Sequence, residues 1–235
     1  MKILILIPTY NEKDNILPLI SDIRASYPGC DILVIDDSSP DGTYRLVERL
    51  SLKESRIKLL LREKRKGLGA ALFSGYKYAF SNHYDKVVQI DGDYSHPVKY
   101  IKEILTGLDM AGLVVCSRNI SGGGSEDWAL FRILLSRLAG SAAKSLLGLG
   151  AKDPTSGFRG FSKDFIASLV AEYKPISKGY LIQVETVLIA KAAGYGVLEI
   201  PFIYRKRRSG ASKLGIIETF KSGLVLVRLI LKRYN

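Results

Sequence analysis

At 235 residues the chain can bury the core of one substantial α/β domain unaided, so its size excludes no class of enzyme. Two cysteines and two histidines cannot form a zinc cluster, and Cys30 and Cys116, each beside an apolar run, read as ordinary buried thiols of a reducing compartment. The net charge of +12, from 35 Lys and Arg against 23 Asp and Glu, favours an anionic partner without choosing among nucleic acid, anionic lipid and a phosphorylated substrate.

In chain order, MKILILIPTYNE reaches Pro8 after a handful of apolar residues, too short for a signal h-region and without a small-residue cleavage site, so no export signal is read there. It opens a series of short apolar runs at 3–7, 31–35, 57–61, 86–90 and 112–116, rich in β-branched residues as strands buried on both faces are. The intervening stretches 12–27, 41–54, 66–82 and 97–109 carry apolar residues at helical spacing. Repeated βα winding predicts an α/β fold, an open and mostly parallel sheet covered by helices.

The pattern changes after Ser117. A loop with Gly122-Gly123-Gly124, a helix-like run from about Ala129 to Leu147 and the segment SGFRGFS (156–162) read as insertions that finish a site. A further helix near 179–194 leads to the strand-like VLEIPFIY (197–204), a basic loop RKRRSGASK (205–213) and an amphipathic helix from about Gly215. No stretch approaches the ~20 apolar residues needed to span a bilayer, because Lys221, Ser222 and Arg228 interrupt even the last one. With no repeat or linker, residues 1–235 read as a single domain.

Two acidic strand ends stand out. In QIDGDYSHP (89–97), Asp91 and Asp93 follow a strand and precede a Pro-initiated helix. Mg²⁺ or Mn²⁺ is held by one or two such carboxylates plus substrate phosphates, and strand ends are where open α/β sheets place ligands. The plain alternative is a turn whose acids cap the next helix. Asp36 and Asp37 end the second strand and could accept from a ribose hydroxyl or a base N–H, whereas Asp41 suits a helix cap. No Walker motif occurs, and Gly67-Leu68-Gly69 lacks the third glycine of a dinucleotide fingerprint. That pair follows Lys64, Arg65 and Lys66 at a helix start, where N–H groups and cations could face a diphosphate or simply form a solvated basic turn.

Taken together, PTYNE (8–12), IDDSSPDGT (35–43), KGLGAA (66–71), DGDYSHP (91–97), SRN (117–119), TSGFRGF (155–161), KGYLIQVE (178–185) and the R-x-x-G-x-S-K of 207–213 resemble the dolichol-phosphate (polyprenyl-phosphate) mannosyltransferases of inverting glycosyltransferase family two. The resemblance runs in order over nearly the whole chain. It implies a GT-A (nucleotide-diphospho-sugar transferase) fold, a GDP-mannose donor, an Mg²⁺ or Mn²⁺ ion, a polyprenyl or dolichyl phosphate acceptor and a peripheral place on the cytoplasmic side of a membrane. Carried over motif by motif, Pro8, Tyr10, Glu12, Asp36, Asp37, Lys66, Gly67, Asp91 and Gly92 form the nucleotide-sugar pocket, and Asp91 and Asp93 hold the metal. Arg118, Arg132 and Ser136 take the acceptor phosphate, while Asp93, Arg207 and Lys213 serve catalysis at the diphosphate. One departure is Ser95, where many relatives have Gln, which leaves the third metal ligand open. The Ser95-His96-Pro97 form looks like that of eukaryotic-type mannosyltransferases and favours mannose over glucose.

The chemistry agrees with this assignment. A departing nucleoside diphosphate needs its charge neutralised, and a phosphate acceptor, already ionised, needs positioning more than a base. Arg132 and Ser136 share a face of the 129–147 helix, continued by Gly140 and Ala143. In the last helix Ile216, Ile217, Phe220, Leu224, Val227 and Leu231 form a stripe suited to a membrane surface or to a core. A UDP-glucose lipid-phosphate transferase is the nearest alternative. A soluble-acceptor enzyme would need a catalytic carboxylate, for which Glu185 is the one candidate in the second half. A non-enzymatic binder of nucleic acid or membrane is the remote one. Aromatics are not interleaved with the basic clusters, so nucleic acid is not an expected partner. A membrane-anchoring partner subunit is left open.

Overall fold

The structure is a computed structural model and describes residues 1–126, 150–173 and 175–208. The helices expected at 129–147 and from 215 lie outside the described residues, as do Arg132, Ser136 and Lys213.

The apolar runs form strands β1 (Ile3–Thr9), β2 (Asp31–Asp36), β3 (Ile57–Leu61), β4 (Lys86–Gln89) and β5 (Leu113–Ser117). Between them lie α1 (Lys13–Ser26), α2 (Thr43–Ser51), α3 (Leu68–Ser81) and α4 (Ile101–Gly107), the last entered through a 3₁₀ turn at Val98–Tyr100. The chain continues through β6 (Gly124–Ser125), β7 (Arg159–Ser162), α5 (Lys163–Ser168), a π-helical turn (Leu169–Tyr173), α6 (Ile182–Ala192), β8 (Val197–Pro201) and β9 (Ile203–Tyr204). The main sheet has seven strands in the order β3-β2-β1-β4-β7-β5-β8, and β6 pairs with β9 in a second, two-stranded sheet.

Both faces of the main sheet are covered, which is why its strands read as unbroken apolar runs. In β1, Leu4 and Leu6 point to one side, where they pack with Leu72 and Tyr76 of α3. Ile5 and Ile7 point to the other, against Ile16, Leu19, Ile20 and Ile23 of α1. Every pairing in the main sheet is parallel except those of β7, which runs antiparallel between β4 and β5. This corrects the reading of SGFRGFS as an insertion: its second half is a central strand. Arg159 and Gly160 mask it, since neither residue type favours a strand. Gly160 is needed because a Cβ there would meet Ile104 of α4 at 2.3 Å. The Arg159 side chain is fully buried and donates to the carbonyls of Pro154 and Ser156 and to Thr186 Oγ1. Burial lowers its pKa to about 10, so it remains charged near neutral pH.

From β1 the chain winds outward through β2 to β3, then returns across β1 to place β4 on its other side. The carboxyl ends of β1 and β4 therefore splay apart at a topological switch point, where such sheets open a crevice. Thr9, Asp36 and Gln89 end their strands there.

Candidate active site

A cleft of about 690 Å³, counted to its open mouth, occupies that crevice. Its walls bring together Pro8, Tyr10 and Glu12 from the end of β1, Asp37 after β2, Arg65, Gly67 and Leu68 before and in α3, Asp91, Gly92 and Asp93 after β4, and Tyr180 and Arg207 from the second half. Motifs scattered over two hundred residues thus meet at one place. Arg65 lies over the Tyr10 ring at 4.3 Å from its centroid, so an aromatic face and a cation flank one side of the cleft.

The second acidic pair divides its labour. Asp37 lines the cleft, paired with Arg62 at 2.8 Å and accepting the Lys66 N–H at 3.3 Å. Burial raises its pKa against the pull of Arg62. Asp36 is turned inward instead: it is fully buried and accepts from Thr9 Oγ1, Ser39 N–H and Ser39 Oγ, each at 2.7 Å. It ties the ends of β1 and β2 together behind the cleft, which corrects its placement in the pocket. Lys66 likewise contributes its N–H to Asp37, with its side chain exposed. Asp41 accepts from the N–H groups of Lys13 and Thr43, joining the starts of α1 and α2.

Gly69 does not offer its amide to a ligand. The Lys178 carbonyl accepts from Gly69 N at 2.8 Å and from Ala70 N at 3.3 Å, capping α3 from a distant loop. Gly67 has φ +94°, and a Cβ there would lie 2.4 Å from the same carbonyl oxygen. That loop is held by Glu185, which is fully buried and accepts from the N–H groups of Ile176 and Ser177 at 2.8 and 2.7 Å. Glu185 is a clamp inside the wall, and the role of catalytic base considered for it does not fit this position.

The Asp91–His96 turn is organised in detail. Asp93 closes it by accepting from Ser95 N–H and Ser95 Oγ at 3.0 and 2.6 Å, and turns its other oxygen to Arg207 Nε at 3.1 Å. The main chain of the basic loop is bonded to the same turn, Arg205 N to the Ser95 carbonyl and Arg208 N to that of Asp93. Burial raises the Asp93 carboxyl, but Ser95 and Arg207 outweigh it and the net shift is downward. Asp91 shifts the other way, through its enclosed position first, with the Asp93 and Glu12 charges adding and His96 and Arg207 opposing. Its side chain is 34% exposed and opens to the cleft.

These residues fit a hard divalent cation. Asp91 and Asp93 both line the cleft, and their mutual repulsion is relieved by a positive ion. Among the described residues no group of three or more His, Cys, Asp and Glu converges as a ligand cluster. Two carboxylates are the number such ions take when phosphate oxygens supply the rest. Ser95 Oγ is already committed to Asp93 and stands behind the carboxylate.

Beside the cleft, Arg118 at the end of β5 is gripped by Asp153. Nε and one Nη bond its two carboxylate oxygens at 2.7 and 2.8 Å, and Thr155 Oγ1 accepts at 3.1 Å. The pair is enclosed, with 13% and 1% of the side chains exposed. Arg118 is near enough to Asp91 and His96 to act on both by charge. Asp153, Gly157 and His96 are site-building residues whose structural roles were not read from the sequence; Gly157 and His96 stand inside TSGFRGF and DGDYSHP, and Asp153 two residues before the former.

Residues 4–170 match the model of glycosyl transferase family 2. The chain is 33% identical over 213 residues to polyprenol monophosphomannose synthase of Mycolicibacterium smegmatis, covering 90% of this chain and 80% of the relative. It is 31% identical over 214 residues to undecaprenyl-phosphate mannosyltransferase of Micrococcus luteus, with 91% and 88% covered. Among solved structures, glucosyl-3-phosphoglycerate synthase from Mycobacterium tuberculosis, in complex with Mn²⁺, UDP and phosphoglyceric acid, superposes with a TM-score of 0.70 at 21% identity over 100% of this chain and 78% of that one. The mannosyltransferase PcManGT from Pyrobaculum calidifontis, in complex with GDP-Man and Mn²⁺, gives 0.60 at 19% identity over 99% and 62%. With its central sheet, its switch-point cleft and this match over most of its length, the chain belongs to glycosyl transferase family 2 and has the GT-A fold.

Proposed function

We propose that this chain transfers mannose from GDP-mannose to a polyprenyl phosphate, inverting the anomeric carbon and releasing GDP. The observation that carries the reading is the composition of the site: two carboxylates and Arg207 line the cleft, an enclosed Arg118 lies beside it, and Glu185 is withdrawn into the wall. Those parts suit an acceptor that arrives already ionised and needs no base. Similarity to two polyprenyl-phosphate mannosyltransferases supports the lipid phosphate and the sugar, and a structural neighbour with GDP-Man supports the guanine nucleotide.

In this reading Tyr10, Glu12 and Asp37 hold the nucleoside, and Asp91 and Asp93 hold Mg²⁺ or Mn²⁺. When bound, the ion neutralises charge on the leaving diphosphate. Arg207, directed into the cleft by the turn it is bonded to, adds a second positive charge at the same place, and Lys213, outside the described residues, is proposed to act with it. Arg118 orients the acceptor phosphate with Arg132 and Ser136, so that its oxygen attacks the sugar from the face opposite the diphosphate. Among the described residues no helix is long and apolar enough to cross a membrane; in this reading the enzyme meets its lipid at the membrane surface, as the lipid substrates named for its relatives suggest.

The test is a donor-by-acceptor matrix with GDP-mannose, UDP-glucose, polyprenyl phosphate and a soluble sugar, with and without Mg²⁺ or Mn²⁺. The expected result is metal-dependent mannosyl transfer to the lipid phosphate alone, lowered by at least about a hundredfold in Asp93→Ala. Preferential transfer from UDP-glucose, or full activity of Asp93→Ala, replaces the reading.

A further inference from the structure

The carboxylate of Asp91 opens to the cleft on one side and is held on the other by residues outside the Asp91-Gly92-Asp93 sequence. Its main-chain N–H, left at the end of β4, donates to His96 Nδ1 at 3.1 Å. That bond makes Nδ1 an acceptor and leaves the ring proton on Nε2, which faces Asp91 Oδ2 at 3.7 Å, a charge–dipole contact beyond hydrogen-bond range. The imidazole cannot turn away. It is 2% exposed, stacks on Phe158 with ring centres 4.9 Å apart and planes 8° apart, and meets the edges of Phe202 and Tyr204. From below, Gly157 forms the floor: a Cβ there would sit 3.3 and 3.4 Å from the two Asp91 oxygens and 3.5 Å from His96 Cε1. Gln89 fixes that floor by donating to the Gly157 carbonyl at 2.7 Å while accepting from Tyr76.

We infer that His96, with Gly157 as its floor, is the positioning residue of this site, setting the main chain and carboxylate of Asp91 in the orientation that receives the divalent cation. This rests on the reading of Asp91 as a cation ligand. His96 reaches the reaction only through Asp91, and groups that orient metal-binding carboxylates commonly govern affinity by 10–100-fold.

The experiment measures Mn²⁺ affinity in the presence of GDP, by titration followed through the electron paramagnetic resonance of free Mn²⁺, with circular dichroism confirming the fold. His96→Phe keeps the ring stack and removes both nitrogens, and is expected to bind about 10–100-fold more weakly. His96→Asn places an amide oxygen where Nδ1 accepts, and stays within about threefold of wild type. His96→Gln places its nitrogen near Nε2 but offers the Asp91 N–H no acceptor, and falls with the Phe variant. Gly157→Ala, which leaves His96 untouched, weakens binding by crowding the carboxylate. It keeps the inference testable should His96→Phe fail to fold. Wild-type affinity in His96→Phe or in Gly157→Ala overturns the positioning role, as does a Gln variant that binds better than Asn. Wild-type protein that binds no Mn²⁺ with GDP overturns the metal reading itself, an outcome distinct from any loss confined to the variants.

Discussion

Arg118 and Asp153 show how a charge is stored next to a reaction centre at the scale of single residues. Removing one member of an enclosed pair strands the other, which costs about 3 kcal/mol or more. Burial raises the Asp153 carboxyl, but the bonds and charge of Arg118, with Thr155 adding, hold it below its ordinary value. The folded-state pKa is therefore depressed. The pair contributes in full above the unfolded carboxylate pKa of about 3.9, and that contribution is lost as pH falls through the lower folded value. Denaturant unfolding of Asp153→Asn is expected to show about 3 kcal/mol less stability than wild type at pH 7, with the gap shrinking below about pH 4. A gap that stays constant down to pH 2 contradicts the ion-pair account. Asp153 also orients Arg118, so if Arg118 holds the acceptor phosphate as proposed, the same variant should raise KM for the lipid phosphate more than KM for the donor.

At the scale of elements, the cap on α3 decides how the glycines of KGLGAA should be understood. They give the Lys178 carbonyl room to approach the helix start, since a Cβ at Gly69 would lie 2.2 Å from the Ser177 carbonyl oxygen. Gly69→Ala should lower stability by about 1–3 kcal/mol, seen as a fall in Tm, and raise KM for the donor because Gly67, Leu68 and Ala71 line the cleft. Gly29→Ala, where a Cβ meets nothing within 4 Å, serves as the control and should leave both unchanged. Equal behaviour of the two variants contradicts the interlock. The same cap marks the limit of what local sequence says. Strands β1 to β5 and helices α1 to α4 were legible because an apolar run or a helical period is a property of neighbours in sequence. The partner of Gly69 is more than a hundred residues away, so a helix start rich in glycine and lysine could be read as a diphosphate site or as a solvated basic turn, but not as the capped helix end it is. Strand β7 was hidden for a related reason. Arg159 belongs in a strand only because the carbonyls of Pro154 and Ser156 and the hydroxyl of Thr186 surround it, and Gly160 only because α4 presses on it.

For the whole molecule, motif order carried most of the information. The residues meeting in the cleft come from PTYNE, IDDSSPDGT, KGLGAA, DGDYSHP, KGYLIQVE and the basic loop, and no single one of these specified a site. What the order could not convey was which acid faces in, and Asp36 behind the cleft beside Asp37 on its wall shows the difference. The antiparallel strand in mid-sheet also shapes how the protein is made. Emerging from a ribosome, β1 to β4 can assemble by short-range winding, yet the outer edge of β4 has no neighbour until β7 is synthesised some seventy residues later. Until then the nascent chain carries an unprotected sheet edge, open to pairing with other chains. Pulsed hydrogen exchange during refolding is expected to protect amides of β1 and β2 before those of β7 and β5, and a fragment ending at residue 150 should aggregate where the full chain refolds. Simultaneous protection of all strands, with a soluble fragment, would show that the edge is not exposed. The strand that closes mid-sheet begins at Arg159, whose bonds hold the loop with Asp153 and Gly157, so the anchor of Arg118 and the floor under Asp91 are built only once the second half of the chain has been made.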